Sequence, residues 1–564
     1  MMKSSLIRIN LIFILLVLFI PNLVSAETKT FIKEYTYHAG DEDSRNSSRT
    51  IALREVKRLL LEELGTYLES VTEVQNFRLT KDHITTLTAG IVKTEITDEK
   101  WDGRTYWLKA KISADPGAVI KSIDSLRKDR LKTKELEEIR KRSDDLLKEN
   151  ARLRKELATS KGEKRQKELT EYNQTIKDLT AVEWFESGLA LERSGNYKDA
   201  IDAYSNALEL GSKEVDIYWH RAFSYKHLGD FRLAINDFNI VIQSNPHNYD
   251  AYSMRGRAFE SLGELKQAVL DYSKAIALVP KEKSYYDKRG DNYINDATYK
   301  WIIANYYYDR AKAYRKLENY RLALIDYDKV VELAGDNPSN FSVLGYLAYF
   351  ERAVVNAVLE NYNQSIKDYD QVLKSWPEEA NASFYIDRGN VHMQSGSCKS
   401  AITDFEKALN LKRNDTWLLV SLGLAHECIK DYKAAISNYD KAIEIDAGYA
   451  NAYYCKGHAY FTVGEYDQAI NNYSKAIKLD KNKVAFYVGR GVVYGSYLRK
   501  YQDAISDFSK AVELNPNDAG LYYLRGFNYE RIADKPRAIK DYKTAARLGH
   551  KSAQERLNDY GVSW

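Results

Sequence analysis

Histidine and carboxylate side chains carry most acid–base and metal chemistry in proteins, but here they do not fall into catalytic patterns. The chain has nine histidines among 564 residues, and their spacing is not that of metal ligands. His426-Glu427 begins like a zinc-protease motif, but the second histidine is missing. Asp41-Glu42-Asp43 lacks the glycine and the distal glutamate of a calcium loop, which favours a solvated acidic turn. We therefore predict no catalytic residue, no metal and no cofactor.

The spacing that does recur joins an arginine to an aspartate. In seven places an aspartate follows an arginine after 16 residues, or once after 17. Elsewhere both are missing together, as in Ser187 with Ala203, Leu422 with Asn438 and Lys456 with Asn472. Because the two residues come and go together, the pattern predicts structural salt bridges rather than an anion-binding ladder. The predicted pairs are Arg221 with Asp237, Arg255 with Asp271, Arg310 with Asp326, Arg352 with Asp368, Arg388 with Asp404, Arg490 with Asp507, and Arg525 with Asp541.

A repeated unit of about 34 residues accounts for this spacing. A small residue followed four positions later by an aromatic recurs ten times, from Ala200 and Tyr204 to Ala538 and Tyr542. In most units an Arg-Gly or Arg-Ala pair flanked by aromatics precedes it, as at Arg255-Gly256. Both blocks have helical spacing, so each unit is predicted to be a hairpin of two helices.

Ten such units in one register resemble the tetratricopeptide repeat (TPR) over residues 181–552. We number positions so that Ala222 and Gly256 stand at position 8 of their units. Small residues recur at positions 8, 20 and 27 and an aromatic at 24, whereas tyrosine largely replaces the family's tryptophan at position 4. The resemblance implies a mainly α fold, a right-handed α-solenoid of about ten helix hairpins closed by a capping helix at 553–564. An insertion at 283–303 is interpreted either as an extra packed helix or as part of a recognition pocket.

In this family, first-helix positions 2, 5, 9 and 12 line a concave groove that holds a peptide. The resemblance therefore implies an aromatic-rich, weakly charged protein-binding groove. Packing between repeats is the alternative role for the same side chains. The residues predicted to line the groove are Trp219, Phe223, Tyr308, Phe350, Trp417, Leu424, Tyr454, His458, Phe461, Tyr523 and Phe527.

The chain has three cysteines, too few for a disulfide framework. Cys398 and Cys428 fall at positions 17 and 13 of successive units, level with one another on adjacent predicted helices. An oxidising compartment could link them, and the reduced pair is the alternative that the sequence leaves open. Cys455 is expected to be free.

The first 26 residues predict a secretory signal peptide. Two basic residues, Lys3 and Arg8, precede an apolar run at 11–20, and Val24-Ser25-Ala26 offers a small-residue cleavage site. The run is short for a hydrocarbon core of ~30 Å, although an uncleaved anchor is the alternative. We expect an extracytoplasmic location, in the bacterial periplasm, with secretion left open.

Two segments separate this leader from the repeats. Residues 27–117 combine an amphipathic helix at 47–69 with two short β-patterned runs, which predicts a small α+β domain. Residues 118–180 are charged and place Leu136, Leu146 and Leu153 at heptad spacing, with Ser143 and Asn150 at polar core positions. This coiled-coil pattern predicts either a parallel homodimer or a lone helical linker.

Together these patterns favour an exported, non-enzymatic TPR scaffold that mediates protein–protein interaction through the groove. The alternative is a permanent structural or assembly component of a cell-envelope complex. The expected partner is a protein or peptide of unknown identity. A formal net charge of +4 supplies no basic field for nucleic acid, and no membrane span is predicted after signal cleavage.

Overall fold

The computed structural model describes residues 28–74, 88, 92–128, 130–279, 285–286, 293–294, 296–334 and 342–564. Within these ranges the chain has 24 α-helices, most of them in hairpins, and one three-stranded sheet near the N-terminus. The predicted mainly α fold class is therefore confirmed. The proposed leader lies outside the described residues, as do residues 283–284, 287–292 and 295 of the insertion at 283–303. The chain divides into two compact units, residues 1–317 and 318–564, which are treated separately below.

The first unit begins with a small sheet covered by one long helix. Strand β1 (Lys29–His38), helix α1 (Arg45–Val74), β2 (Thr94–Trp101) and β3 (Thr105–Ala114) follow in order, and the antiparallel sheet has the order β1-β3-β2. Alternate residues of β3, such as Leu108 and Ile112, are fully buried in one cluster with Leu60 and Leu64 of α1. Every second residue of β3 therefore packs against the apolar face of α1, and together they form the core.

A helical hairpin follows the sheet. Helices α2 (Pro116–Lys128) and α3 (Arg130–Leu157) lead to a turn at Gly162, whose φ of +63° suits glycine, and α4 (Gly162–Arg193) returns along α3. Leu153 and Leu157 pack against Tyr172 of α4, and Ser143 and Asn150 are buried. The sequence left open a homodimer or a lone helical linker, and in the structure the heptad residues Leu153 and Leu157 contact the same chain, because α4 folds back onto them.

In the acidic segment at residues 41–43 the chain turns and Asp41 is exposed, as the sequence suggests, but the side chain of Asp43 is buried. Asp43 accepts hydrogen bonds from the Tyr37 hydroxyl at 3.0 Å and the Gly40 amide at 2.6 Å. The Tyr172 hydroxyl of α4 also donates to it, and Arg154 of α3 lies 3.3 Å away. The Asp43 side chain is therefore buried. Because Arg154 and Tyr172 belong to α3 and α4, Asp43 connects the β1–α1 loop to the tip of the α3–α4 hairpin.

One apolar core joins the N-terminal domain to the first repeats. The buried cluster that contains Leu64 of α1 continues through Leu136 of α3 and Phe185 of α4 to Tyr204 and Ile217 of the repeats. Helix α4 is both the return arm of the hairpin and the first helix of repeat one, and residue 180, the predicted boundary of the linker, lies inside it. The domain, the hairpin and the first repeats therefore pack as one body within this unit.

The remaining helices are the repeat hairpins. In the first unit these are α5 (Tyr197–Glu209), α6 (Val215–Leu228), α7 (Phe231–Ser244), α8 (Tyr249–Ser261), α9 (Leu265–Leu278), the short strands β4 (Tyr285–Tyr286) and β5 (Tyr293–Ile294), and α10 (Asp296–Lys316). In the second unit they are α11 (Tyr320–Ala334), α12 (Ser342–Val358), α13 (Tyr362–Ser375), α14 (Ala382–Gln394), α15 (Cys398–Leu411), α16 (Thr416–Cys428), α17 (Tyr432–Ile445), α18 (Ala450–Thr462), α19 (Tyr466–Leu479), α20 (Val484–Val492), α21 (Tyr501–Leu514), α22 (Ala519–Arg531), α23 (Lys535–Arg547) and the final α24 (Lys551–Asp559).

The small residue at position 8 allows the close approach of each hairpin's aromatic. A Cβ added at Gly423 would lie 2.3 Å from the Tyr439 ring, and one at Gly188 would lie 2.3 Å from the Tyr204 ring. Position 8 must therefore stay small wherever position 24 is this large.

Repeat nine contains one extra residue, and the structure absorbs it locally. Residues Val493–Tyr497 form a π-helical turn after α20, which is the usual way in which a helix accommodates a single insertion. This turn explains why Arg490 and Asp507 are 17 residues apart and yet meet like the other pairs. No helix within the described ranges combines the length and the apolarity needed to cross a membrane.

Glu186 of α4 provides a test of the contact between α1 and α4. Its carboxylate lies 3.1 Å from Arg54 and 2.6 Å from Lys57 of α1. Burial alone would raise the pKa of Glu186, but the two cations lower it to about 2. Replacing Glu186 with Ala removes the carboxylate that is hydrogen-bonded to both poorly hydrated cations, so we expect a loss of about 3–5 kcal/mol in the free energy of unfolding.

Urea denaturation at neutral pH measures this loss, and Glu171→Ala is the control. The carboxylate of Glu171 lies 3.9 Å from Lys167 on the exposed side of the same helix, so its loss should cost under about 1 kcal/mol. Since the pKa of Glu186 is lowered, the gap between wild type and Glu186→Ala should shrink as pH falls from about 4.5 towards 2. Equal stabilities of the two variants at pH 7 would contradict this account.

Candidate functional site

The arginines at position 7 make two-pronged contacts with the aspartates at position 23. In each described pair Nε and Nη2 donate to the two carboxylate oxygens, for example at 2.8 and 2.6 Å between Arg388 and Asp404. Arg310 and Asp326 belong to different compact units, and their pairing stays a prediction. The other six predicted pairs meet in this way: Arg221 with Asp237, Arg255 with Asp271, Arg352 with Asp368, Arg388 with Asp404, Arg490 with Asp507, and Arg525 with Asp541.

The third arm of each guanidinium, Nη1, crosses to the preceding repeat. It donates to a side-chain oxygen at position 25 of that repeat, as in the 2.8 Å bond from Arg352 to Asp328. Lys456 takes the same role in repeat eight, with Nζ 2.5 Å from Asp440. The remaining bonds of this kind run from Arg221 to Ser205, Arg255 to Asn239, Arg310 to Ser273, Arg388 to Asp370, Arg490 to Ser474, and Arg525 to Ser509.

These links between repeats were not predicted, although the sequence contains a signal for them. Each arginine at position 7 is preceded by a Ser, Asn or Asp at position 25 of the previous unit. All three residue types can accept a hydrogen bond from a guanidinium. Position 25 lies in the preceding unit, whereas both members of each predicted pair lie in one unit.

The paired arginine side chains are only 10–20% exposed and lie beside aromatic rings. The Arg388 side chain is 10% exposed and that of Asp404 is 1% exposed. Burial acts to lower the pKa of Arg388, but the hydrogen bond and the charge of Asp404 outweigh burial and raise it. Arg255 also lies 5.4 Å from the ring centre of Tyr252 at position 4. Tyrosine at position 4 therefore supports the arginine by a cation–π contact.

A second recurring contact joins Tyr at position 24 to Glu at position 12. The Tyr439 hydroxyl donates to Glu427 at 2.7 Å, and His458 of the next repeat contacts the same carboxylate at 3.0 Å. The equivalent sets are Tyr204, Glu192 and His220; Tyr272, Glu260 and Lys316; and Tyr542, Glu530 and Arg556 of α24. The sequence could have shown this contact, because glutamate occupies position 12 only in units with tyrosine at 24.

His220 links the repeats to the N-terminal hairpin. Its Nε2 lies 2.6 Å from Glu135 of α3, and its Nδ1 lies 3.1 Å from Glu192 of α4. Burial opposes the charged form, but the two carboxylates outweigh burial and raise the pKa of His220 to about 10. At neutral pH the imidazolium therefore bridges both helices of the hairpin to α6.

The predicted groove residues divide into an exposed group and a half-buried group. Trp417 and Leu424 lie seven residues apart on α16 and are 43% and 42% exposed, and the His458 side chain on α18 is 51% exposed. The other eight are half-buried. Ring contacts involve Trp219 with Phe238, Phe223 with His227, Phe350 with Tyr369, Tyr454 with Phe486, Phe461 with Tyr497, and Tyr523 with His550, while Lys312 lies over the Tyr308 ring and Phe527 completes the set.

Repeats six and seven are joined in another way. Leu422 occupies position 7, and Asn438 at position 23 donates to the Ala434 carbonyl of its own helix at 3.0 Å. A disulfide joins Cys398 of α15 to Cys428 of α16, whereas Cys455 is free. Of the two states that the sequence left open, the structure contains the bonded one. No cluster of three or more metal-ligating side chains occurs in the ranges that the structure describes.

Substitutions at Arg388 and Asp404 compare this ion pair with the uncharged pair, Leu422 and Asn438, at the same positions of repeat seven. Arg388→Leu leaves the buried Asp404 carboxylate without its main partner, which should cost about 3–5 kcal/mol in the free energy of unfolding. Arg388→Leu/Asp404→Asn copies Leu422 and Asn438 and should recover most of that loss, since it leaves no buried charge. Urea titration followed by circular dichroism measures both, and a double variant no more stable than the single one would contradict the pairing.

Comparison with known proteins places these hairpins in one family. The family model described as TPR repeat matches residues 430–464 and 457–496. Two models described as tetratricopeptide repeat match residues 224–283 and residues 304–337, 382–415 and 484–518. The search of curated proteins finds no match to this chain.

Several solved structures match parts of this chain. A crystal structure of MamA is 28% identical, covers 29% of this chain and 96% of its own, and has a TM-score of 0.27. A tetratricopeptide repeat protein from Parabacteroides merdae ATCC 43184 is 19% identical, with coverages of 45% and 97% and a TM-score of 0.37. Yeast Tom70 is 16% identical, with coverages of 68% and 96% and a TM-score of 0.32. On the family matches, this chain is a tetratricopeptide repeat protein, with multiple repeats between residues 224 and 518.

Proposed function

We propose that this protein is an exported, non-enzymatic scaffold that binds an apolar segment of a partner protein on repeats seven and eight. Tetratricopeptide repeat proteins are typically non-enzymatic scaffolds for other proteins. The proposed contact surface, called the α16 face below, consists of Trp417, Leu424 and His458.

The exposure of Trp417 and Leu424 is the observation that carries this proposal. Most other predicted groove aromatics are half-buried and already contact neighbouring rings, whereas these two side chains project from one face of α16 with over two fifths of their surface accessible. Covering apolar surface gains about 25 cal/mol per Å², and tryptophan is a frequent anchor of protein interfaces. An apolar partner segment would therefore cover more accessible apolar surface here, and bind with a larger gain in free energy, than at the half-buried positions.

The charges near the α16 face favour a partner without a strong net charge. Glu427 and Asp415 are acidic neighbours of this face, but the Glu427 carboxylate is bound by Tyr439 and His458, and the Asp415 carboxylate lies 2.6 Å from Lys412. The hydrogen bond to Glu427 raises the pKa of His458, and burial opposes that shift. The surface therefore presents a paired histidine beside apolar groups, which suits an apolar or aromatic segment better than a highly charged one.

A permanent place in a cell-envelope assembly is the second candidate. Exposed aliphatic side chains lie on the second helices of repeats two and three, where Leu233 and Ile240 of α7 and Leu270 of α9 are accessible. A fixed partner would cover this surface in a stable complex. A homodimer through α3 is not part of either proposal, because α4 already covers that seam.

Site-specific photocrosslinking distinguishes the two candidates. A photoreactive amino acid at Trp417 should capture a partner in the native envelope, whereas one at Leu411, an exposed leucine outside the α16 face, should not. With the captured partner purified, Trp417→Ala/Leu424→Ala should weaken binding by about tenfold or more, a loss of at least ~1.4 kcal/mol. Leu411→Ala should bind as the wild type does.

A third photoreactive residue replaces Leu270 on α9. If this residue captures a partner and the one at position 417 does not, the groove proposal is wrong and a permanent assembly is favoured. Unchanged affinity of the folded Trp417→Ala/Leu424→Ala variant would also overturn the groove proposal. Circular dichroism of every variant checks that the helices persist.

Export through the leader makes a separate prediction. The Cys398–Cys428 disulfide is consistent with an oxidising compartment outside the cytoplasm. We expect the mature protein to begin at Glu27 and to be recovered from the bacterial periplasm with this disulfide formed. Mass spectrometry of the intact protein from fractionated cells measures both features, and deletion of residues 2–26 is the control. A protein that retains the leader and has both thiols free would contradict export.

A further inference from the structure

The nine junctions between successive repeats are held in two ways. At eight junctions a cationic side chain at position 7 bonds to position 25 of the preceding repeat. At the junction of repeats six and seven position 7 is Leu422, and the Cys398–Cys428 disulfide crosses that same junction. The covalent bond thus stands at the junction where the sequence lacks the cation.

We propose that the disulfide replaces the missing cation link and makes the junction of repeats six and seven a redox-controlled hinge. In the oxidised protein α15 and α16 are fixed to one another by a covalent bond. In the reduced protein they are held by apolar contacts such as those of Leu418 and Leu422 with Phe405. Reduction therefore loosens this junction selectively, because the other eight do not contain a disulfide.

The positions of the two sulfurs suit reduction by a dithiol. Cys428 is exposed at the end of α16, whereas Cys398 is 4% exposed and is the first residue of α15. A thiolate of the dithiol can attack the exposed Cys428 sulfur, which breaks the S–S bond and sends its electron pair to Cys398. The amides of the first turn of α15, which contains no acidic residue, stabilise that leaving thiolate.

The reaction is complete when the second thiol of the reductant displaces Cys428 from the mixed disulfide. The protein then has two thiols, having taken up two electrons and two protons, and the dithiol has become a disulfide. No other oxidant or reductant is needed.

The hinge has a consequence for binding that rests on the proposed function. Trp417 and Leu424 are part of α16, the helix that the disulfide anchors, and Cys428 ends that helix. Movement of α16 relative to α14 would change the spacing of the α16 face from its neighbours. Redox state would then regulate partner binding at this surface.

Hydrogen exchange measured by mass spectrometry tests the hinge without any ligand. The full mature chain is compared before and after treatment with dithiothreitol. The variant Cys398→Ser/Cys428→Ser, which cannot form the disulfide, shows the exchange of the open junction without dithiothreitol. We expect exchange in residues 398–428 to become about fivefold faster or more, a cost in local opening of ~1 kcal/mol. Residues 501–547 in repeats nine and ten should be unchanged. Equal exchange in both redox states, or an equal rise in both segments, would overturn the hinge.

A rescue variant ties the effect to the missing cation. Leu422→Arg/Asn438→Asp, added to Cys398→Ser/Cys428→Ser, places a guanidinium opposite a new carboxylate and near Glu406, the residue at position 25 of repeat six. Exchange in residues 398–428 should slow to the rate of the oxidised wild type. If the folded rescue variant exchanges as fast as its disulfide-free parent, the proposal that the disulfide replaces the cation is wrong.

Because the exchange experiment contains no partner, its outcome is independent of the groove proposal. If the hinge is confirmed, crosslinking from position 417 in both redox states tests its effect on binding. If the exchange experiment contradicts the hinge, the groove proposal still stands. If no partner is captured, the hinge proposal still stands.

Discussion

Eight of the ten repeats have at position 7 a largely buried cation that hydrogen-bonds to the preceding repeat. The guanidinium at position 7 presents a planar set of donors, two of which match a carboxylate while a third points elsewhere. In Arg352 the two bind Asp368 within the hairpin, and the third binds Asp328 of the previous repeat. Since a buried charge is costly when unpaired, the arginine enforces the geometry inside the hairpin and its register against the preceding one.

The same principle joins the repeats to the N-terminal domain. His220 bonds to both helices of the α3–α4 hairpin, and Asp43 ties the tip of that hairpin to the sheet. Helix α4 belongs to the hairpin and to repeat one at once, so an apolar core runs through this unit without interruption. We infer that the N-terminal domain is packed rigidly against the first repeats and fixes their orientation, and that no flexible linker separates the two.

The repeat register could be predicted from sequence because ten copies sample the same pattern. Arg221 with Asp237 and Arg525 with Asp541 obey one spacing, and their joint absence at Leu422 and Asn438 identifies the pair. The fate of Leu153 and Leu157 could not be predicted, because a heptad stripe is the same whether a second chain or a returning helix covers it. Asp43 was missed for a similar reason, since its partners Tyr172 and Arg154 are more than a hundred residues away.

The claim that position 7 holds each repeat to the one before it is tested most directly at the junction of repeats five and six. Arg388→Leu/Asp404→Asn transfers the pair of repeat seven to a junction that has no disulfide, and so removes the bond to Asp370 without leaving a buried charge. Hydrogen exchange of residues 362–394 should quicken in this variant while that of residues 501–547 stays constant. Undiminished protection of residues 362–394 would contradict the account, because apolar packing alone would then be sufficient to hold the junction.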